Sequence, residues 1–140
     1  MRRYRTGAAL IEFALWLVPI VTLLGGVIEV SRMLSLEHQV SRAARDAARV
    51  GAMVMTDPAT GGPATEAVIE QAAIDHGVNV LTDSGLACAA GCSVTATWFL
   101  TQTNHYLLTV KVEYPFSPIF GLFDFGKPVV REFTMMTQFQ

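Results

Sequence analysis

Hydrophobic positions fall into three regimes along this chain. From Gly7 to Val30 they are nearly continuous, GAALIEFALWLVPIVTLLGGVIEV, and between Ala8 and Ile28 the sole ionisable side chain is Glu12. Twenty-one helical residues rise roughly 31 Å, about the thickness of a bilayer's hydrocarbon core. The stretch therefore predicts a membrane-crossing helix. Pro19 cannot donate to the carbonyl of Leu15, so a kink is expected there. Gly25-Gly26 is a second soft point; both are tolerated in membrane helices.

The second regime has helical period. Ser31 to Met55 holds no proline and one glycine, Gly51. Val40, Ala43, Ala44, Ala47, Val50 and Val54 recur at three- and four-residue spacing, while Arg42, Arg45, Asp46 and Arg49 occupy the opposite side. Arg42 and Asp46 are spaced to pair across one turn. One helix from Ala8 to Met55 is expected, about 70 Å long, with its first half in lipid and its alanine-rich second half against a small domain. The composition of Asp57-Pro58-Ala-Thr-Gly61-Gly62-Pro63 predicts a loop. A second helix is expected over 64–76, favoured by Glu66 and Glu70 near its start, with Gly77 as the residue that ends it.

The third regime alternates. Val94, Ala96, Trp98 and Leu100 share one face of a run from Ser93 to Leu100. Leu108, Val110, Val112 and Tyr114 share one face of the next, Tyr106 to Tyr114, with Thr109, Lys111 and Glu113 on the other. Thr101–Asn104 reads as the hairpin turn between them, and Val129–Phe139 as a neighbouring strand. The fold class expected is α+β: a long N-terminal helix, half transmembrane and half amphipathic, packed on a small antiparallel sheet of three to four strands with one further helix. The segments are a basic leader (1–7), an anchor (8–30), a helical extension (31–56) and an extracytoplasmic domain (57–140).

Charge sets the orientation. Residues 1–7 carry Arg2, Arg3 and Arg5 and no acid, whereas the remainder carries seven basic residues against twelve acidic ones. Positive flanks stay in the cytoplasm, so residues 1–7 are expected inside and everything after about Val30 outside. The apolar run is longer than a cleaved secretory signal's core and no A-x-A-like site follows it. The segment is therefore expected to remain as a single-pass anchor. A net charge of −2 offers no basic surface for nucleic acid.

Cys88 and Cys92, spaced C-x3-C, are expected to form one disulfide in an extracytoplasmic domain. His38, His76 and His105 have no metal-ligand spacing with them, so no metal and no cofactor are expected. There is no G-x-S-x-G, H-E-x-x-H, P-loop or dinucleotide fingerprint. Catalytic residues and a small-molecule substrate are not expected. The acids beyond the membrane, Glu70 among them, read mostly as solvated surface. A loop broken by proline and glycine, Pro115 to Gly126, holds Phe116, Phe120, Phe123 and Phe125. It reads either as a lid over one end of the core or as a surface for a neighbouring subunit.

The stretch Gly7–Phe13 carries the sharpest chemistry. A cut after Gly7 would leave Ala8 with a protonated α-amino group and Glu12 as the fifth residue, one helical turn away. In a membrane the two charges can neutralise each other, within a chain or between neighbours, and so set the register of assembly. The alternative is an ordinary anchor whose Glu12 reaches back to the cytoplasmic headgroups.

R-x-x-G-A-A-L-I-E-F followed by an apolar helix ending GGVIEVSR resembles the processing and anchoring segment of type IV pilin-like proteins. It is most similar to the TadE family of tight-adherence (Flp-type) pilus systems, whose alanine–arginine segment Ala43-Ala-Arg-Asp-Ala-Ala-Arg-Val-Gly51 resembles. The resemblance covers Arg5 to Ala52; residues 57–140 carry no such motif. It implies a minor pilin or pseudopilin of the bacterial inner membrane, cut at Gly7–Ala8 by a prepilin peptidase. Glu12 and Phe13 would act in anchoring and assembly. The expected partners are the membrane, the peptidase, other pilins and the inner-membrane assembly platform, and the expected role is pilus biogenesis and surface adherence. The competing reading is a single-pass, unprocessed periplasmic binding or envelope protein unrelated to pili.

Overall fold

The computed structural model describes residues 5–54, 56–89, 91–100, 106–119 and 127–137. The fold is α+β. A long helix α1 (Arg5–Met53) is followed by α2 (Glu66–Asp83) and by strands β1 (Ser93–Leu100), β2 (Tyr106–Tyr114) and β3 (Val129–Thr137). The strands form one antiparallel sheet in the order β1-β2-β3. Contacts divide the chain into two compact units: Met1–Leu34 with Ser117–Gly126, and Ser35–Phe116 with Lys127–Gln140.

In the second unit the alternation predicted for β1 and β2 sets their faces. Register places Val94, Ala96 and Trp98 opposite Val112, Val110 and Leu108. Leu108, Val110 and Val112 are fully buried, and they close a core with Val40, Ala43, Ala44, Ala47 and Ala48 of α1 and Ile69, Ala73 and Leu81 of α2. Small residues on α1 let its backbone come close to its neighbours. Gly51 marks the tightest point: a methyl group there would lie 2.5 Å from Leu108 Cδ2, 2.8 Å from Ala73 Cβ and 3.3 Å from the Ile69 carbonyl oxygen. Arg131 of β3 stands opposite Val112 and forms an ion pair with Glu37 of α1.

The structure departs from the sequence pattern at α2. The helix starts at Glu66 and passes through Gly77 to Asp83, about two turns beyond the expected stop. Gly77 is buried mid-helix, where an added Cβ would sit 3.1 Å from Val94 Cγ1 and 3.3 Å from Ala47 Cβ. Its lack of a side chain serves close packing rather than termination. The stop comes at Ser84 and Gly85, where Gly85 takes φ +80° and its N–H reaches the Thr82 carbonyl, a left-handed turn that suits glycine. Helix α1 ends at Met53 rather than Met55. The hairpin turn predicted over 101–104 lies outside the described residues, as does Phe139.

Two polar devices hold the loops. The Asp57 carboxylate accepts the Ala59 N–H and the Thr60 hydroxyl, each at 2.8 Å, and an isolated bridge joins Thr56 to Pro63. The Ala59 N–H, then the Thr60 hydroxyl, hold the Asp57 carboxyl below its ordinary value. Cys88 and Cys92 are joined by a disulfide with Cα atoms 5.2 Å apart. The Tyr114 hydroxyl donates to the Ala87 carbonyl at 3.3 Å beside it.

Candidate membrane-anchor and processing segment

From Gly7 to Leu24 every residue of α1 is exposed, although Leu10, Ile11, Phe13, Leu15, Trp16 and Leu23 are among the largest apolar side chains in the chain. An apolar surface of this length has no partner in water. Two hydroxyls on α1 are satisfied by the helix's own backbone. Thr22 donates to the Val18 carbonyl at 2.9 Å and Ser31 to the Val27 carbonyl at 2.8 Å, so neither hydroxyl needs solvent. The helix runs through Pro19, and it is long and apolar enough to cross a membrane once.

Gly7 and Ala8 lie in the first turns of α1, ahead of any tertiary packing. Nothing lies within 4 Å of a Cβ placed on Gly7, so no tertiary contact covers that position. Glycine inside a helix costs about 0.5–1 kcal/mol relative to alanine, which weakens the first turns of α1. Glu12 and Phe13 are exposed on the same helix. Among the described residues Glu12 forms no hydrogen bond or ion pair.

The carboxylate that does have protein cover is Glu29. It is 0% exposed and accepts the backbone N–H of Ile119 at 2.9 Å. Sequence reading missed it because it stands immediately past the apolar run, where an acid passes for the first residue of the surface. A weak signal was present. Glu29 and Arg32 are the first charges after a span of bilayer length, and an acid there needs an explanation when the residues around it stay apolar.

The Phe-rich loop is brought only partly into view. Phe116 is half-buried against the core of the second unit. Phe120, Phe123 and Phe125 lie outside the described residues. A shallow groove of about 690 Å³ opens beside Met53, Val68 and Ala72. Its acids are Asp57, whose carboxylate is taken up by its own turn, and Asp75, which accepts from Gln71 at 2.8 Å. Among the described residues no group of three or more His, Cys, Asp or Glu side chains could hold a metal ion.

One apolar helix continuous with a small α+β core defines a single-pass anchored type of chain. Residues 7–49 match the TadE family, described as TadE-like protein, so the resemblance read from the Gly7–Phe13 and Ala43–Gly51 segments holds over α1. No curated protein and no solved structure matches the chain.

Proposed function

We propose that this protein is a membrane-anchored minor pilin or pseudopilin of a tight-adherence (Flp-type) pilus system. In this reading a prepilin peptidase removes residues 1–7 by cutting between Gly7 and Ala8. Arg2, Arg3 and Arg5 keep the N-terminus in the cytoplasm, and the domain after the anchor faces the periplasm. The protein is a substrate and a structural partner rather than a catalyst. It works with other pilins and the inner-membrane assembly platform in pilus biogenesis and surface adherence.

The observation that carries the reading is the TadE-like match beginning at Gly7 on a helix whose apolar surface is exposed for its first five turns. Glu12, five residues past the proposed cut, is the one charged group on that surface up to Ile28. The uncovered Gly7 position and the exposure of Glu12 are compatible with such a segment. Cleavage would supply an ammonium at Ala8 for Glu12 of the same or a neighbouring chain.

The test is the intact mass of membrane-extracted protein from cells with and without the peptidase. Loss of residues 1–7 only where the peptidase is present supports the proposal. An uncut chain in both strains favours an unprocessed envelope anchor. A fusion after Gln140 to a reporter active only outside the cytoplasm reports orientation separately.

A further inference from the structure

Ala8 to Ile28 is 21 residues, roughly 31 Å of helix, so Glu29 falls at the far boundary of the hydrocarbon core. A carboxylate and an unpaired backbone N–H are both strongly disfavoured at that depth. Glu29 and Ile119, 90 positions apart, resolve this together: the fully buried carboxylate accepts the Ile119 N–H at 2.9 Å. The bond also fixes the height of Ile119, which must sit level with the end of the membrane helix. Gly25, one turn earlier on the same helical face, is buried as well.

The side chain of Ile119 is 63% exposed. On the helix beside it Val27, Ile28 and Val30 are exposed too. Ile119 follows Ser117 and Pro118 at a bend. The segment Pro115–Gly126 has no lysine or arginine and one acid, Asp124, among six large apolar residues. Exposed apolar side chains tied at the bilayer boundary, Ile119 beside Val27, Ile28 and Val30, match a lipid surface better than water.

We propose that Glu29 staples Ser117-Pro118-Ile119 to the outer end of the membrane helix, and that Ile119 lies in the outer-leaflet interface as a second, non-spanning contact. The partner is the lipid bilayer itself. The proposal rests on the single-pass anchor reading. It needs neither cleavage nor a pilus.

The experiment uses the full chain in vesicles of phosphatidylethanolamine and phosphatidylglycerol. One added cysteine at a time, at Ile119, Leu17 or Thr95, is labelled with bimane, the native cysteines being paired with each other. Quenching by lipids carrying a nitroxide at the headgroup, for Ile119 and Thr95, or at mid-chain, for Leu17, is compared with quenching by aqueous iodide. The Leu17 label, mid-helix, reports the anchor; the Thr95 label, exposed on β1, serves as the reference on the second unit. The Ile119 label is expected to be quenched by the nitroxide lipid severalfold more than the Thr95 label. Glu29→Leu is expected to bring it down to the Thr95 level, and Glu29→Gln, which keeps an acceptor, to preserve most of it. If Leu17 is lipid-quenched while Ile119 behaves like Thr95, the proposal fails and the anchor stands. If Leu17 is not lipid-quenched, both fall. Ile119 quenching that survives Glu29→Leu overturns the staple. An Ile119 label shielded from both quenchers in proportion to protein density identifies a second copy as the partner and overturns the lipid assignment.

Discussion

The Glu70 carboxylate on α2 accepts the backbone N–H of Trp98 on β1 at 3.0 Å, so a helix side chain covers part of an open sheet edge. Strand β1 is the first of three, and an outward N–H on an edge strand is a template for pairing with another chain. Glu70→Ala is expected to cost about 1–2 kcal/mol, the range for a charge-assisted bond that is only half-buried. Glu70→Gln keeps an acceptor and is expected to stay within about 0.5 kcal/mol of the parent. Urea unfolding of the full chain in detergent, followed by near-ultraviolet circular dichroism, reads both. An unchanged midpoint for Glu70→Ala would show that solvent replaces the carboxylate at no cost.

Two glycines inside helices separate propensity from packing. Replacing glycine by alanine mid-helix gains about 0.5–1 kcal/mol from backbone entropy. Against that stands overpacking, about 1–3 kcal/mol where a methyl has nowhere to go. At Gly51 the new methyl would meet Leu108 and Ala73 at 2.5 and 2.8 Å; at Gly77 its nearest neighbours are at 3.1 and 3.3 Å. Gly51→Ala is therefore expected to destabilise by about 1–2 kcal/mol and Gly77→Ala to be nearly neutral. Equal unfolding midpoints for the two variants would contradict this order.

Asp57 gives the loop between the helices a pH signature. Two donors hold its carboxyl below its ordinary value of 3.8, the Ala59 N–H more than the Thr60 hydroxyl. A group depressed in the folded state stabilises it above the unfolded value, and the contribution is lost as pH falls through the folded value. Carboxyl chemical shifts are expected to titrate with a midpoint below 3.8. Asp57→Ala is expected to remove this part of the acid-side loss of stability. A midpoint at or above the ordinary value would mean that the turn does not persist in solution.

Much of this fold was legible because hydrophobic periods change cleanly along the chain. Strands β1 and β2 begin and end where alternation does, and Val40 to Ala47 mark the buried stripe of α1 by spacing alone. The failures share one physical cause. Gly77 looks like a stop because glycine commonly follows a helix, yet here it admits Ala47 and Val94, a tertiary reason that no local pattern carries. Glu70 looks solvated because charged residues on a helix surface usually are; its partner is a backbone group on a strand 28 positions away. Glu29 looks like the start of a polar surface and is buried by a residue still more distant. In the candidate site the apolar run with its single acid was readable. The second carboxylate, which needs the chain to return to it, was not.

The most consequential prediction is that Gly7 and Glu12 have separable roles. Gly7 is expected to matter to the peptidase, because a residue without a side chain lets the backbone enter a tight membrane active site. It also weakens the first turns of a helix that must open before it is cut. Gly7→Leu is therefore expected to leave the seven-residue leader attached, an added mass visible in the intact protein. Glu12→Ala acts on a different step. Removing the carboxylate lowers the insertion cost, so the chain is expected to anchor and to be cut. What it loses is the partner for the Ala8 ammonium and, with it, the register against neighbouring helices. The expected result is processed protein at normal level with defective assembly and poor surface adherence. Normal pili and adherence with Glu12→Ala would reduce Glu12 to a tolerated polar residue and remove the pairing from the mechanism, while leaving the TadE-like match of the helix untouched.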